Sequence, residues 1–206
     1  AVFTWLKESE SGALEIDFDA TQKQAAAVLK AQGKGGSRMG GLVASGTLGE
    51  NSYLSTEQRL SLLKSLSEVA KEYNVPLISG AAAETKEELA KIIEGLATVR
   101  VDTVMVMPPK TKAAPSDEEM YGYYALAAIA AKEAGVTIMP YNNPDAAGYH
   151  AISTDLLRRL AALPEVTALK ISTTDVSTIE TLMLENKDLK ILAGVDTVTV
   201  HAGLAG

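Results

Sequence analysis

The sequence predicts an α/β fold in which a parallel sheet is covered by helices, and three observations carry that reading. Seven short, almost continuously apolar runs alternate with longer amphipathic stretches along the 206 residues. Unbroken apolar runs mark strands buried on both faces, which is the condition of a parallel sheet between helices. Several of the amphipathic stretches open with a hydroxyl residue followed by acidic ones, the signature of a helix N-terminus. The chain is 47% hydrophobic but only 5% aromatic, so its core must be built from Ala, Leu, Val and Ile.

Strands are expected at 2–6, 41–46, 75–80, 102–107, 136–141, 166–171 and 189–194, each rich in Val, Ile, Leu or Ala. Helices are expected near 19–32, 55–73, 85–96, 117–134, 153–162 and 175–186. Ser55-Thr56-Glu57-Gln58 and Ser116-Asp117-Glu118-Glu119 each place a capping hydroxyl ahead of acidic first-turn residues. Thr85 with Glu88, and Ser153 ahead of Asp155, repeat the pattern. The glycine-rich stretch 33–41 precedes a strand, whereas a phosphate-binding loop follows one, so it reads as a connection. Polar residues gather at the C-terminal ends of the strands: Thr47 and Glu50, Pro108, Tyr141 and Asn142, Lys170, Asp196. Barrel enzymes keep their chemistry there. One domain over 1–206 is expected. Seven such strands fit either an open doubly wound sheet or most of a (β/α)8 barrel; after the seventh, residues 195–204 begin like a helix and the chain stops, so a closed eight-stranded barrel would be incomplete at its C-terminus.

Composition excludes several functions. The net charge is −7, which disfavours nucleic acid as a partner because phosphate binding needs a basic surface. There is no cysteine, so disulfides, thiolate metal sites and thiol nucleophiles are excluded. The two histidines, His150 and His201, lack metal-ligand spacing. No apolar run reaches the length of a membrane-spanning helix, and the first residues lack the basic n-region of a signal peptide. A soluble, cytoplasmic protein without membrane partners is the expectation.

Lys170 is the most informative residue. It lies in Val166-Thr167-Ala168-Leu169-Lys170-Ile171-Ser172, a run otherwise suited to a buried strand. An ammonium in such a place must pair, lose its proton or reach water. A deprotonated lysine is a nucleophilic amine, the starting point of Schiff-base chemistry.

Three motifs stand in order: Gly46-Thr47-Leu48-Gly49-Glu50 after the second strand, Tyr141-Asn142-Asn143-Pro144 at the end of the fifth, and Leu169-Lys170-Ile171 at the end of the sixth. Together they resemble the dihydrodipicolinate synthase / N-acetylneuraminate lyase family of class I, Schiff-base aldolases. The resemblance runs from Val2 to Asp196 and implies a (β/α)8 barrel, about seven strands of which are present. It implies that Lys170 condenses with the keto group of pyruvate or another 2-keto acid, that Tyr141 shuttles protons, and that the Thr47 hydroxyl relays them. It places Gly46, Thr47, Leu48 and Gly194 beside the substrate. It implies no metal or organic cofactor, since the lysine imine is itself the electron sink, and assembly as a homotetramer or homodimer. Glu50 and Asn142 are expected to hold loops in place.

The pattern departs from the synthase branch at three points. Leu48 replaces a second hydroxyl residue, the segment Pro108-Pro109-Lys110-Thr111 lacks the tyrosine that branch gives to a neighbouring subunit, and Ala146 stands where it carries a substrate-binding arginine. These departures disfavour the synthase reaction itself. They leave an aldolase of a 2-keto-3-deoxy sugar acid or a related substrate as the first expectation. A dehydratase or deaminase built on the same imine is the second, and a silent keto-acid-binding protein the third.

Overall fold

The computed structural model describes residues 2–31, 39–46, 54–109, 111–143, 150–185 and 188–195. Packing divides the chain, expected as one domain, into two compact units: Ala1–Ala81 with Gly95–Thr103, and Ala82–Glu94 with Val104–Gly206.

In the first unit, β1 (Leu6–Glu8) and β2 (Leu14–Ile16) form an antiparallel hairpin with Leu6 opposite Ile16. Its turn closes through Gly12 N–H to the Ser9 carbonyl at 2.9 Å, with Gly12 at φ 80°, a conformation that glycine adopts without a Cβ penalty. Helix α1 (Phe18–Lys30) follows, capped by the Asp17 carboxylate, which accepts from the Ala20 N–H at 2.9 Å. Strand β3 (Leu42–Ala44), helix α2 (Thr56–Glu72) and strand β4 (Leu77–Ala81) make one βαβ turn. β3 and β4 are parallel, Leu42 beside Leu77. Leu62, Leu63 and Leu66 of α2 are fully buried with Leu42 and Leu77, the aliphatic core that the composition requires.

The expected strand at 2–6 is corrected. Val2 N–H reaches the Val43 carbonyl at 2.9 Å, but the Phe3 and Trp5 N–H groups donate to the side chains of Gln24 and Thr21 on α1. The segment keeps the period-2 burial of a strand, Val2 and Thr4 buried and Phe3 and Trp5 exposed, while helix side chains satisfy its backbone. Residue Leu6 belongs to the hairpin, which the sequence did not announce. Among the described residues the βα series therefore has six strands, one fewer than expected.

The second unit holds β5 (Thr103–Val106), α4 (Asp117–Ala134), β6 (Thr137–Asn142), α5 (Thr154–Ala161), β7 (Ala168–Ile171), α6 (Val176–Glu185) and β8 (Lys190–Ala193). Helix α3 (Lys86–Leu96) and β5 both straddle the division. The strands neighbour one another in the order β5-β6-β7-β8, and β6, β7 and β8 are parallel. Local signals explain the helix ends. Ser55 and Ser116 form complete capping boxes with Gln58 and Glu119, Ser153 caps α5 through the Leu156 N–H, and α4 ends on Gly135 in the left-handed region. Beneath α4 the Tyr124 ring is fully buried, and the loss of water pushes its phenol well above the ordinary tyrosine range. None of the described helices is long and apolar enough to cross a membrane.

Two glycines give opposite expectations for the same substitution. A Cβ on Gly80 would collide with the Ser45 carbonyl, which is backbone and cannot rotate away, so Gly80→Ala should cost about 3 kcal/mol or more. Nothing lies within 4 Å of a Cβ on Gly122 inside α4, so Gly122→Ala should stabilise by up to about 1 kcal/mol through helix propensity. Urea denaturation of both variants checks the pair.

Surface carboxylates set an acid limit. The Arg159 guanidinium beside Glu118, and the Ser116 N–H and hydroxyl on Glu119, hold both carboxyls below their ordinary range. A group with a lowered folded-state value stabilises the fold above its unfolded value and loses that contribution as pH falls through the folded one. The thermal midpoint should therefore drop below about pH 4.3, and less steeply in Glu118→Gln, as pH-dependent melts would show.

Candidate active site

The site is built at the C-terminal ends of β6 and β7. Leu169 and Ile171 are fully buried on one face of β7, and between them Lys170 points to the other face, half-buried. The parallel register sets Tyr141 of β6 beside Lys170. Neighbours in register share a face, and here the Lys170 Nζ lies over the Tyr141 ring, 4.1 Å from its centroid. Stacking an ammonium on an aromatic face contributes about 0.5–2 kcal/mol, depending on how dry the contact is. The lysine therefore does not simply extend into solvent. It is folded back onto the one aromatic ring that its register offers.

The Tyr141 phenol is held from two sides. Its oxygen accepts from Asn143 Nδ2 at 2.9 Å and lies 3.1 Å from the Ser172 Oγ. Tyr141 and Ser172 are each only 6% exposed, so water has little access to replace these partners. Ser172 follows Lys170 by two residues, which in extended chain returns to the same face. Its N–H donates to the Asn142 carbonyl at 2.8 Å, and the Gly194 N–H donates to the Ile171 carbonyl at 2.8 Å, so the ends of β6, β7 and β8 are tied together. A Cβ on Gly194 would collide with the Ser172 hydroxyl; glycine at 194 leaves that hydroxyl its room.

Asn142 is turned away from the lysine. Its amide donates to the Ile152 carbonyl at 3.1 Å and accepts the Ile152 N–H at 3.0 Å, a reciprocal pair that joins the end of β6 to the start of α5's approach. That is the loop-holding role expected for it.

The arrangement joins a primary amine, a phenol, a hydroxyl and a carboxamide within one small region of β6 and β7. An amine can attack a carbonyl carbon, and the phenol can give and take the protons that such an addition moves. Among the described residues no cluster of three or more His, Asp or Glu comes together as a metal site.

Of the residues singled out from sequence, Lys170 and Tyr141 are brought together, and Gly194 lies at the adjoining end of β8. Gly46 is buried at the end of β3 in the first unit. Thr47, Leu48, Glu50, Lys110, Ala146, Asp196 and most of the glycine-rich stretch 33–41 lie outside the described residues. Sequence reasoning missed Ser172 and Asn143 as partners of the phenol. The signal for Ser172 was present, two residues beyond Lys170 on the same face. It also passed over Ser45, which precedes Gly46 with φ 53° and a buried hydroxyl that has no hydrogen-bond partner among the described residues. A positive φ on a non-glycine residue stores backbone strain, and such strain concentrates near functional sites.

Known proteins resemble this chain in sequence and in fold. The 4-hydroxy-tetrahydrodipicolinate synthase of Bacillus subtilis (strain 168) is 32% identical over 162 residues, 77% of this chain and 53% of that protein. The enzyme of the same name from Neisseria gonorrhoeae (strain ATCC 700825 / FA 1090) is 30% identical over 169 residues, 81% of this chain and 55% of that protein. The chain thus spans about half the length of the curated relatives it matches. Among solved structures, dihydrodipicolinate synthase DapA-2 from Bacillus anthracis superposes with a TM-score of 0.86 at 25% identity, covering 100% of this chain and 65% of that one. YagE from E. coli K12, a prophage protein of the dihydrodipicolinic acid synthase family solved in complex with pyruvate, shares the fold with a TM-score of 0.82 at 20% identity, covering 100% of this chain and 64% of that one. The fold is accordingly that of a partial (β/α)8 barrel. The model of the dihydrodipicolinate synthetase family matches residues 15–206, and the chain belongs to that family.

Proposed function

We propose that this chain carries the imine-forming site of a class I lyase acting on pyruvate or another 2-keto acid, with Lys170 as the nucleophile and Tyr141 as the acid–base group. The observation that carries the reading is the Lys170 amine stacked on Tyr141, whose phenol is oriented by Ser172 and Asn143. Membership of the dihydrodipicolinate synthetase family supports it.

The chemistry follows from these groups. The neutral Lys170 amine adds to the keto carbon and gives a carbinolamine. Tyr141 delivers a proton to the carbinolamine oxygen, which leaves as water, and the protonated imine remains. Loss of a proton from C3 then yields an enamine, which adds to an aldehyde; the reverse sequence cleaves a C–C bond and releases the keto acid. The imine is the electron sink, so the reading calls on no cofactor. The roles that the resemblance implies for Gly46, Thr47 and Leu48 in holding the carboxylate and relaying protons belong to this proposal as well, as does assembly into a homotetramer or homodimer.

The second substrate is where this chain departs from its synthase relatives. Leu48, Lys110 and Ala146 replace the hydroxyl, tyrosine and arginine of the synthase pattern. We therefore assign the lyase direction on a 2-keto-3-deoxy sugar acid or a related substrate ahead of synthase activity.

Borohydride reduction in the presence of pyruvate tests the first step. A reduced adduct is expected on the peptide containing Lys170, absent in Lys170→Ala and formed about 100-fold more slowly in Tyr141→Phe. No adduct on Lys170 in the unaltered protein would sink the imine reading. With the adduct in hand, pyruvate release from a panel of 2-keto-3-deoxy sugar acids supports the aldolase. Condensation of pyruvate with aspartate semialdehyde would restore the synthase, and water loss with the carbon skeleton intact would make it a dehydratase.

A further inference from the structure

We propose that Ser172 is the positioning residue of this site, holding the Tyr141 phenol through its hydroxyl in both of the protonation states that the reaction passes through, and that Gly194 is glycine so that this hydroxyl can stand there. The proposal rests on the imine reading above and names a residue and a constraint beyond it.

The hydrogen-bond inventory of the phenol carries the argument. A phenol has one O–H to donate and lone pairs with which to accept. One lone pair is taken by Asn143 Nδ2, a donor that cannot reverse its role at that atom. The O–H needs an acceptor, and the Ser172 Oγ lies at 3.1 Å. After Tyr141 has passed its proton on, the phenolate oxygen needs donors, and the same serine can turn its own O–H toward it, because a hydroxyl both donates and accepts. Among the described residues, Asn143 serves only the acceptor side of the phenol, whereas Ser172 serves both. The Tyr141 and Ser172 side chains are almost fully buried, so solvent is poorly placed to substitute.

The backbone keeps the hydroxyl in position. Ser172 N–H is bound to the Asn142 carbonyl, one residue from Tyr141, and Gly194 N–H is bound to the Ile171 carbonyl, one residue from Ser172. Lys170 and Ser172 share a face of the chain, so the nucleophile and the group that orients its proton carrier are set by one strand. A side chain at 194 would occupy the space of the Ser172 Oγ and drive it off the phenol.

The test is a cycle of variants read by the rate of borohydride-trapped pyruvate on Lys170. Ser172→Ala should lower the saturating rate about tenfold, the scale of one lost hydrogen bond, and leave the half-saturating pyruvate concentration within about twofold. In a Tyr141→Phe background the same substitution should change the rate less than about twofold, since the group it orients is gone. Ser172→Cys, of similar size but a weak hydrogen-bonding partner, should give a comparable loss in the presence of Tyr141 and less than about twofold in Tyr141→Phe, while Gly194→Ala should lower the rate at least as far as Ser172→Ala. The Ser172→Cys arm decides the matter if Ser172→Ala does not fold. An unchanged rate in Ser172→Ala, or equal losses with and without Tyr141, would overturn the proposal while the wild-type adduct keeps the imine reading. Absence of the wild-type adduct overturns both.

Discussion

In a parallel pair of strands, register alone decides which side chains stand beside each other, and this site depends on the register of β6 against β7. Tyr141 faces Lys170 across the ladder, and the pairing continues through Asn142 and Ile171. A slip of one residue would exchange the faces of β7 and turn Lys170 toward the side now filled by Leu169 and Ile171, where an ammonium has no partner. The apolar residues thus enforce the register that the polar ones use. The Ser172 to Asn142 and Gly194 to Ile171 backbone bonds lock the same alignment at the strand ends. Packing and chemistry are two readings of one alignment.

Much of the fold was legible because its signals are local. Helices α2, α4 and α5 begin where a serine can cap them, and each expected helix lies within one or two residues of the observed one. The strands β3 to β8 are apolar enough to be read as buried. The N-terminal hairpin was not legible, because Lys7-Glu8 and the Ser9–Gly12 turn carry charge and polarity where a strand signal was sought. The segment before it misled for the opposite reason. It has the alternation of a strand, and nothing in its own residues tells that Gln24 and Thr21 on a later helix will take its N–H groups.

In the site, Lys170 stood out because its type conflicts with its surroundings, and Tyr141 because it ends a strand within a motif. Ser172 and Asn143 conflict with nothing, so they carry no alarm of their own; what they do depends on a phenol that only the three-dimensional pairing brings near. Gly194 is similar. Its reason for being glycine lies in a hydroxyl on another strand, and sequence offers only that a strand ends there. The family match spans all of these positions. The replacements at Leu48, Lys110 and Ala146 bear on a different part of the proposal, the second substrate.

The reciprocal bonds between the Asn142 side chain and the Ile152 backbone have a consequence for how such a protein can change over time. They tie the end of β6 to Ile152 across the intervening residues, the first of which, Asn143, also holds the Tyr141 phenol. Beyond Asn143, a change in the number of residues between these anchors leaves the end of β6 held, because closing a longer loop adds only a slowly growing entropic cost. One buried asparagine thereby holds the strand end that carries Tyr141 while the sequence beyond Asn143 is left free to vary.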